Sequence, residues 1–382
     1  MKPHNLKFLN CIFKSVFPQP LHWLSTGLIW LLLVFPGQAT ELRVAINKNV
    51  EQLKIGSSTT AIVKDATGKQ IGTLSPMSSL AAKTKGNKIS INDRLSATEL
   101  YIEPQGNGYV WIGDRWYRGK TRLLRQDNTI TAVNHVELED YLYSVVGAEA
   151  ISSWPLEALK AQAVAARSYA LYKRSREANG IYDLDTTVGT QVYKGLDSEY
   201  TTTHEAVNST LGQIMTYNNQ VILAAFHSSS GGHTENVEDI WTAPLPYLRA
   251  VVDYDQQSPV FEWQQIVPVS RIEEMVAGVG AISGLQPVEM TPHGRVITMQ
   301  ITGDRGSITV SGTDLRKTLE LRSTLFRMST DGKNVRVQGR GFGHGLGLSQ
   351  WGAYYLAEQG VNYYQILGHY YQNAVLTKMA KS

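Results

Sequence analysis

Cysteine is almost absent from this chain, whose 382 residues include a single one, Cys11. One cysteine excludes a disulfide framework and every zinc site built from several cysteines. A net charge is also lacking: three of the 36 basic residues lie in the first 39 positions, which hold no acidic residue, so 33 of each sign remain. A neutral chain gives no support to nucleic-acid binding. The 42% of hydrophobic residues excludes a disordered chain.

The N-terminal segment has the order of a secretory signal. Three lysines precede an apolar run at residues 27–35, and Gly37 and Ala39 then supply the small residues of a cleavage site before Thr40. An uncleaved membrane anchor is the alternative, although the run is shorter than the ~20 apolar residues of a typical span. We therefore predict a signal peptide at residues 1–39. The protein is then exported to the periplasm or cell wall, and it stays at the membrane only if the signal is retained.

The pattern after the signal changes near residue 130. Residues 40–130 contain short segments of alternating hydrophobicity separated by turn signals, which predicts a small antiparallel β region. Its Trp111 and Trp116 either stack on sugars or pack a β core. A helix rich in alanine is predicted from residue 156 to about 178, and its composition is typical of a buried central helix.

Glu149 is the first candidate for chemistry. It lies between an apolar helical segment and the sequence Trp154-Pro155, which precedes the Ala-rich helix. A carboxyl group in apolar surroundings is desolvated, and desolvation favours its neutral form, which is the state of a general acid. The alternative is an exposed glutamate in a linker.

A Ser- and Gly-rich turn at residues 226–235 is the second candidate. As a zinc site it offers too few ligands, because His227 and His233 are six residues apart on a turn. The Gly-x-Ser-x-Gly elbow of a serine nucleophile is missing as well. The pattern favours a structural or substrate-contacting turn over a metal site.

Alternating glycines mark the third candidate, the block at residues 339–352. It resembles a phosphate-binding loop, but no Lys-Ser or Lys-Thr pair follows. Glycine at every second position instead allows another segment or an extended polymer to lie against the backbone. His344 has no large neighbours in this block, so we predict that it faces a groove or pairs with a carboxylate.

These candidates belong to a set of segments that occur in the order typical of one family. On these segments the chain resembles the stage II sporulation protein D (SpoIID) family, which includes the LytB amidase enhancers. The resemblance covers about residues 131–375. The segments lie at residues 141–149, 154–170, 185–193, 227–232, 246–248, 343–353 and 366–371.

The resemblance implies a peptidoglycan lytic transglycosylase with an α+β fold, in which a central Ala-rich helix and antiparallel strands form a glycan groove. Such an enzyme cleaves the MurNAc–GlcNAc bond, leaves a 1,6-anhydro-MurNAc end, and acts on glycan strands already stripped of stem peptides. The catalytic glutamate of the family corresponds to Glu149. The family's usual Glu-Met-Pro is replaced here by a longer segment that ends in Trp154-Pro155, so the loop after the glutamate is expected to differ in shape. The substrate-binding candidates are Arg167, Tyr193, His227, Ser228, His344 and Gln350.

Two of these implications have open alternatives. Arg167 either holds the substrate or forms a salt bridge inside the fold. The chain as a whole is either this enzyme or a non-catalytic module that binds the cell wall and stimulates an N-acetylmuramoyl-L-alanine amidase. Some family members carry zinc through cysteines near the 227–232 turn, but this chain has Ser229 and Ser230 there, so neither a metal nor a cofactor is predicted.

The predicted organisation is a signal peptide at residues 1–39, a β region at 40–130 and a SpoIID-like catalytic domain at 131–382. The predicted partners are glycan strands of peptidoglycan. If the protein is instead the non-catalytic module, a cell-wall amidase is a partner as well. No nucleic acid is predicted as a partner.

Overall fold

The computed structural model describes residues 40–379 except positions 188 and 242. The predicted signal peptide at 1–39 and Cys11 therefore lie outside the described residues. Within the described part, no helix is both long and apolar enough to cross a membrane. The described residues combine helices with several separate β-sheets, so the predicted α+β class is confirmed.

A block of short strands precedes the first helix. The alternating pattern predicts this block because successive side chains of a strand point to opposite faces. Its strands are β1 (Glu41–Val50), β2 (Gln52–Ser57), β3 (Ala61–Asp65), β4 (Gln70–Leu74), β5 (Ser79–Lys85), β6 (Lys88–Ile91), β7 (Leu95–Ala97), β8 (Glu99–Pro104), β9 (Val110–Ile112), β10 (Arg115–Tyr117), β11 (Lys120–Gln126) and β12 (Thr129–Glu137).

These strands form two sheets whose inner faces share one core. One sheet has the order β1-β12-β11-β8-β3-β4 and the other β10-β9-β2-β5-β6-β7. The core continues past residue 130 into the following helices, so that Leu42 and Ile102 pack in the same cluster as Leu142 and Leu159. The boundary near residue 130 stays a prediction about chain organisation.

Helices dominate the next part of the chain. Its elements are α1 (Leu138–Glu149), α2 (Leu156–Arg176), β13 (Leu184–Asp185), α3 (Thr201–Ser209), β14 (Gln213–Tyr217), β15 (Gln220–Val221), β16 (Phe226–His227) and α4 (Val237–Ile240). Strand β13 adds to the first sheet in parallel with β1.

Helix α2 lies between two cores. One side, including Ala163 and Ala166, packs in the core that it shares with the strands. The other side, including Ala161 and Ala165, packs in a second core with the C-terminal helices. Alanine makes a narrow helix that elements on both sides can approach closely, which explains a helix without a polar face.

A separate core occupies residues 262–340. Two three-stranded sheets build it, with the orders β17-β22-β21 and β18-β19-β20. The elements are β17 (Glu262–Pro268), α5 (Ser270–Met275), β18 (Ile282–Met290), β19 (Val296–Gly303), β20 (Gly306–Ser311), α6 (Gly312–Thr318), β21 (Phe326–Thr330) and β22 (Asn334–Arg340).

The chain then returns to the helical part through β23 (Leu348–Ser349), α7 (Gln350–Glu358), α8 (Tyr363–Tyr370) and β24 (Val375–Lys378). Strand β23 pairs in parallel with β16, which places Phe226 beside Leu348 and His227 beside Ser349. This pairing brings together the two sequence blocks that carry the histidines, although more than a hundred residues separate them.

The alternating glycines of the second block have a steric reason. Gly345 and Gly347 have positive φ angles of 83° and 67°, which side chains disfavour. A Cβ atom at Gly345 would also collide with the guanidinium of Arg295, and one at Gly347 with the carbonyl oxygen of Ala225. The close approach expected at these glycines is therefore made, at these two positions, by other segments of the same chain.

Candidate functional site

Glu149 is the last residue of α1, where the chain turns toward α2. Its Oε1 accepts a 2.7 Å hydrogen bond from the backbone N–H of Val192. Burial raises the pKa of this carboxyl above its usual value, while the Val192 N–H, the Gln350 side chain and the positive charge of Lys194 oppose the rise. The expected desolvation of Glu149 is confirmed, and the raised pKa favours a carboxyl that keeps its proton.

Gln350 approaches Glu149 from the second sequence block. It is the first residue of α7, a helix that Ser349 caps by accepting the backbone N–H of Gly352 at 3.2 Å. The side chain is 7% exposed, and its Nε2 lies 3.4 Å from Oε1 of Gln162 on α2. The Gln350 amide is thus bonded to the Ala-rich helix, and it lies close enough to Glu149 to lower the pKa of that carboxyl.

Aromatic side chains lie next to Gln350. The ring centroid of Trp351 is 4.9 Å from that of Trp154, and Tyr354 lies 5.2 Å from Trp154. The backbone N–H of Trp351 donates to the carbonyl of Ser228 at 3.0 Å, so the rings and the Ser-rich turn form one surface. Ser228 itself is half-buried at this junction.

Asp255 stabilises the Ser-rich turn through hydrogen bonds. This buried carboxylate accepts hydrogen bonds from the Ser229 hydroxyl and from the backbone N–H groups of Gly231 and Gly232, the last two at 2.9 Å. Asp255 is fully buried. Because all three donors belong to the turn, Asp255 fixes the conformation of residues 229–232.

A second buried carboxylate, Asp253, supports the same turn. It accepts hydrogen bonds from the hydroxyl of Ser230 and from the hydroxyl of Tyr370 on α8, both at 2.6 Å.

Serine hydroxyls that already donate to carboxylates are poor ligands for zinc, which prefers thiolate and imidazole. The residues present at 229 and 230 therefore do not fit the zinc site that some family members carry. Within the described ranges, no group of three or more His, Cys, Asp or Glu side chains is arranged to hold a metal.

His227 and His344 face each other across the β16–β23 pair, with ring centroids 5.2 Å apart. Leu346 fixes both rings: its carbonyl lies 3.1 Å from Nδ1 of His227, and its N–H donates to Nδ1 of His344 at 3.0 Å. A carbonyl only accepts and an N–H only donates. In the neutral rings the proton is therefore on Nδ1 of His227 and on Nε2 of His344.

Both rings are held neutral by their surroundings. Burial lowers the pKa of His227 well below its usual value, and the neighbouring His344 and Arg295 add to this. Burial and the charges of Arg295 and Arg316 lower the pKa of His344 to about 3. His344 is half-buried and lies 5.5 Å from Trp241, and its Nδ1 bonds to a backbone amide rather than to the carboxylate that the sequence suggested as one alternative.

Arg167 lies inside the fold. Its side chain is fully buried and makes two hydrogen bonds to the Glu139 carboxylate, at 2.9 and 2.6 Å, and one to the carbonyl of Gln213 at 3.1 Å. Of the two alternatives for Arg167, this geometry supports the internal salt bridge. The reason is that α2 is buried on both sides, so its one arginine in the middle must find its partner within the protein.

Tyr193 is also interior, with 2% exposure, and its hydroxyl donates to Oδ1 of Asn134 at 2.9 Å. Its ring packs between Tyr117 and Tyr141. It lies one residue from Val192, so it supports the loop that donates to Glu149. In this structure Arg167 and Tyr193 are positioned to hold the site together, and neither reaches its surface.

The remaining aromatic candidates lie far along the sequence from this site. Trp111 and Trp116 pack edge to face at 5.2 Å, and the indole N–H of Trp111 donates to the carbonyl of Gly113. Both are half-buried, so packing within the β region explains their contacts.

Three features were not among the sequence candidates. The Val192 N–H could not be identified because it is a backbone group. Gln162 lies inside the family segment 154–170, but nothing distinguishes it there from the other helix-forming residues. Trp154 and Trp351 were visible in the family segments, but only the fold brings their rings into contact.

Two family profiles match the chain. That of the SpoIID family, described as "Stage II sporulation protein", matches residues 126–217, which contain Glu149. A domain of unknown function (DUF8618) matches residues 254–347, which contain His344.

Relatives in other bacteria cover a larger part of the chain. Stage II sporulation protein D of Bacillus subtilis (strain 168) is 35% identical over 272 residues, which is 65% of this chain and 76% of the relative. An uncharacterized protein of Brachyspira hyodysenteriae is 31% identical over 309 residues, covering 76% of this chain and 82% of the relative. The amidase enhancer of Bacillus subtilis (strain 168) is 29% identical over 292 residues, which is 62% of this chain and 40% of the relative. The chain belongs to the SpoIID family.

Proposed function

We propose that this protein is a peptidoglycan lytic transglycosylase that cleaves the MurNAc–GlcNAc bonds of peptide-free glycan strands, with Glu149 as its single acid/base group. The observation that carries the proposal is the environment of Glu149. It is a carboxyl with a raised pKa, placed at the end of a helix beside one backbone donor and one amide. Membership of the SpoIID family supports the same assignment.

One carboxyl group suffices for this reaction. Protonated Glu149 donates its proton to the glycosidic oxygen as the bond from C1 of MurNAc breaks. The C6 hydroxyl of the same sugar then attacks C1, and the Glu149 carboxylate takes the proton from O6. Atoms and charges balance without water, because the nucleophile belongs to the substrate and has a high effective concentration.

The groups around Glu149 favour release of its proton once the reaction begins. Glycoside hydrolysis normally uses two carboxyl groups that flank the bond, whereas the proposed reaction needs one. The charged group that acts on Glu149 is Lys194, whose positive charge lowers the pKa of the carboxyl. The Val192 N–H and Gln350 stabilise the carboxylate after the proton has left, which lowers the cost of the first step.

The surface beside Glu149 suits a glycan. Trp351 and Trp154 offer half-buried aromatic rings, against which sugar rings pack well. His344 stays a neutral imidazole over the physiological pH range because its pKa is about 3, and both ring nitrogens are held by backbone groups, those of Leu346 and Phe226. The proposed glycan groove therefore runs from the aromatic rings past Glu149 toward the histidine pair.

A non-catalytic role is the second candidate, and one observation favours it: the relative named amidase enhancer is 29% identical over 292 residues. In that case the protein binds the cell wall and stimulates an amidase without cutting glycan. For either function we also propose export to the periplasm or cell wall, based on the signal-like N-terminal segment.

The test is mass spectrometry of glycan strands, intact and amidase-stripped, after incubation with the protein. We expect 1,6-anhydro ends on stripped strands with the wild type, and their loss with Glu149→Gln. The matched control is Glu205→Gln, which changes an exposed glutamate on α3 and should leave product formation intact. Reducing ends would mean that water is the acceptor and that a second carboxylate takes part. Absence of any cleavage, with amidase stimulation retained in Glu149→Gln, would support the enhancer instead.

A further inference from the structure

The region of residues 262–340 contains a large open groove that the proposed chemistry does not use. Its volume is about 1130 Å³. Residues of both three-stranded sheets line it, together with the turn between β18 and β19. They include Glu262, Gln264, Met290, His293, Arg327, Gln338 and Arg340.

This groove is continuous with the Ser-rich turn of the candidate site. A smaller depression of about 320 Å³ shares His293, Leu325 and Arg340 with the groove and reaches Gly231 and Gly232. The same turn begins at the histidine pair. An extended polymer that lies along the turn can therefore continue into the groove.

One strip of the groove wall is a polar row across three strands. Gln264 of β17 is the register partner of Gln338 of β22, which in turn is the partner of Arg327 of β21. All three side chains are exposed, and the two amides lie 3.5 Å apart. Strands are spaced about 4.8 Å apart, so the row spans about 10 Å. Arg340 lies two residues beyond Gln338 on the same face of β22.

The groove carries unpaired positive charge. Neither Arg327 nor Arg340 forms an ion pair with any residue in the described ranges. Arg340 instead lies 6.0 Å over the ring of Phe261. Its cross-strand partner is Glu262, the one acidic residue among the described lining of the groove, so the two arginines leave an excess of one positive charge. Exposed guanidinium groups of this kind bind carboxylates through two parallel hydrogen bonds.

We infer that this groove is a distal binding site for a peptide-free glycan strand, in which Arg327 and Arg340 bind the lactyl carboxylates of MurNAc and the two glutamines bind its N-acetyl and hydroxyl groups. The identity of the polymer rests on the proposed function. Removal of the stem peptide converts an uncharged amide of each MurNAc into a carboxylate, so a stripped strand carries its negative charge directly on the sugar. In an intact strand the lactyl group is an amide, and the carboxylates lie on the peptide, away from the sugar backbone. The groove thus gives the DUF8618 region a role in choosing stripped strands.

The test is a binding measurement with the full-length protein carrying Glu149→Gln, which prevents turnover. The probes are purified amidase-stripped glycan strands and the same strands after conversion of their carboxylates to methylamides. The test variant adds Arg327→Ala and Arg340→Ala. The matched control adds Arg336→Ala, which removes an exposed arginine from the same face of β22 outside the groove lining.

Loss of the two groove arginines should weaken binding of stripped strands about tenfold or more, as expected for two charge-assisted contacts. Methylamidated strands should bind the parent protein as weakly as stripped strands bind the double variant. Arg336→Ala should change the affinity for stripped strands less than about twofold. Equal affinity of the double variant and its parent, or of the two probes, would overturn the inference. Cleavage by the otherwise wild-type protein is assayed separately. Absence of cleavage with retained arginine-dependent binding refutes the transglycosylase alone, and cleavage without arginine-dependent binding refutes the distal site alone.

Discussion

Glu149 and Asp255 are both carboxyl groups whose pKa is raised by burial, yet their bonding differs. Asp255 accepts a hydroxyl and two backbone N–H groups, all from one turn. Glu149 accepts one backbone N–H, with a weaker contribution from Gln350. A carboxylate surrounded by donors is fixed and holds structure, whereas one with free lone pairs can exchange a proton with a bound sugar. By this criterion Asp255 stabilises the turn beside the site, whereas Glu149 is free to take part in the proposed chemistry.

The largest effect on stability is expected for Asp255→Ala. It leaves three buried donors without an acceptor, and each costs about 1–3 kcal/mol, so the free energy of unfolding should fall by about 3–5 kcal/mol. Denaturant unfolding measures this, with Asp114→Ala as the control because the Asp114 side chain is 72% exposed. Similar unfolding of Asp255→Ala and wild type would mean that Asp255 does not hold the turn.

Arg167→Lys tests whether the buried arginine is structural. Lysine keeps the charge but cannot make both hydrogen bonds to Glu139, so the free energy of unfolding should fall by about 2 kcal/mol. Because the side chain does not reach the surface, KM for stripped glycan should stay unchanged at a temperature where the variant is folded. A raised KM with unchanged stability would restore the substrate-binding interpretation.

Gln350→Ala should act on the chemistry of Glu149. Loss of a donor to the carboxylate raises the pKa of Glu149 further, so the loss of activity on the alkaline side should move to higher pH. We expect the rate to fall on the order of tenfold, as for one weakened transition-state contact. A pH–rate profile checks this, with Gln359→Ala as a control, since Gln359 is exposed and lies just past the opposite, C-terminal end of the same helix. An unchanged profile would remove Gln350 from the mechanism.

The smallest effect concerns Glu235, a third buried carboxyl. Burial raises its pKa to about 7, although the Arg295 side chain lies 3.6 Å away. The folded state thus holds the proton more tightly than the unfolded chain, whose glutamate titrates near 4.3. Its contribution to stability is complete below about pH 4 and is lost as the pH rises through 7.

Glu235→Gln should remove this slope. Unfolding measured from pH 4 to 8 should show that the wild type loses stability relative to the variant as the pH rises. The Thr291 hydroxyl donates to Oε1 of Glu235 and can also donate to the amide oxygen of glutamine. Parallel stability curves for the two proteins would show that Glu235 stays ionised, paired with Arg295.

Several elements were predictable from local patterns. The alternating segments predicted the strands before residue 137, and the Ala-rich composition predicted α2, which spans Leu156–Arg176. Strands β17, β18, β21 and β22 were not predicted. Strand β18 has no alternation, because it is exposed along most of its length and contains Pro287. Strands β17, β21 and β22 do alternate more buried with more exposed residues, so their period of two was present in the sequence.

The sequence by itself determined the family, the α+β class and the candidate carboxyl, because these depend on residue order and on short-range hydrophobic patterns. The tertiary structure decided the roles of the other candidates. Parallel pairing of β16 with β23 brought His227 to His344, and burial of α2 turned Arg167 inward. Contacts between residues more than a hundred positions apart leave no periodic signal, since they depend on how separate elements pack.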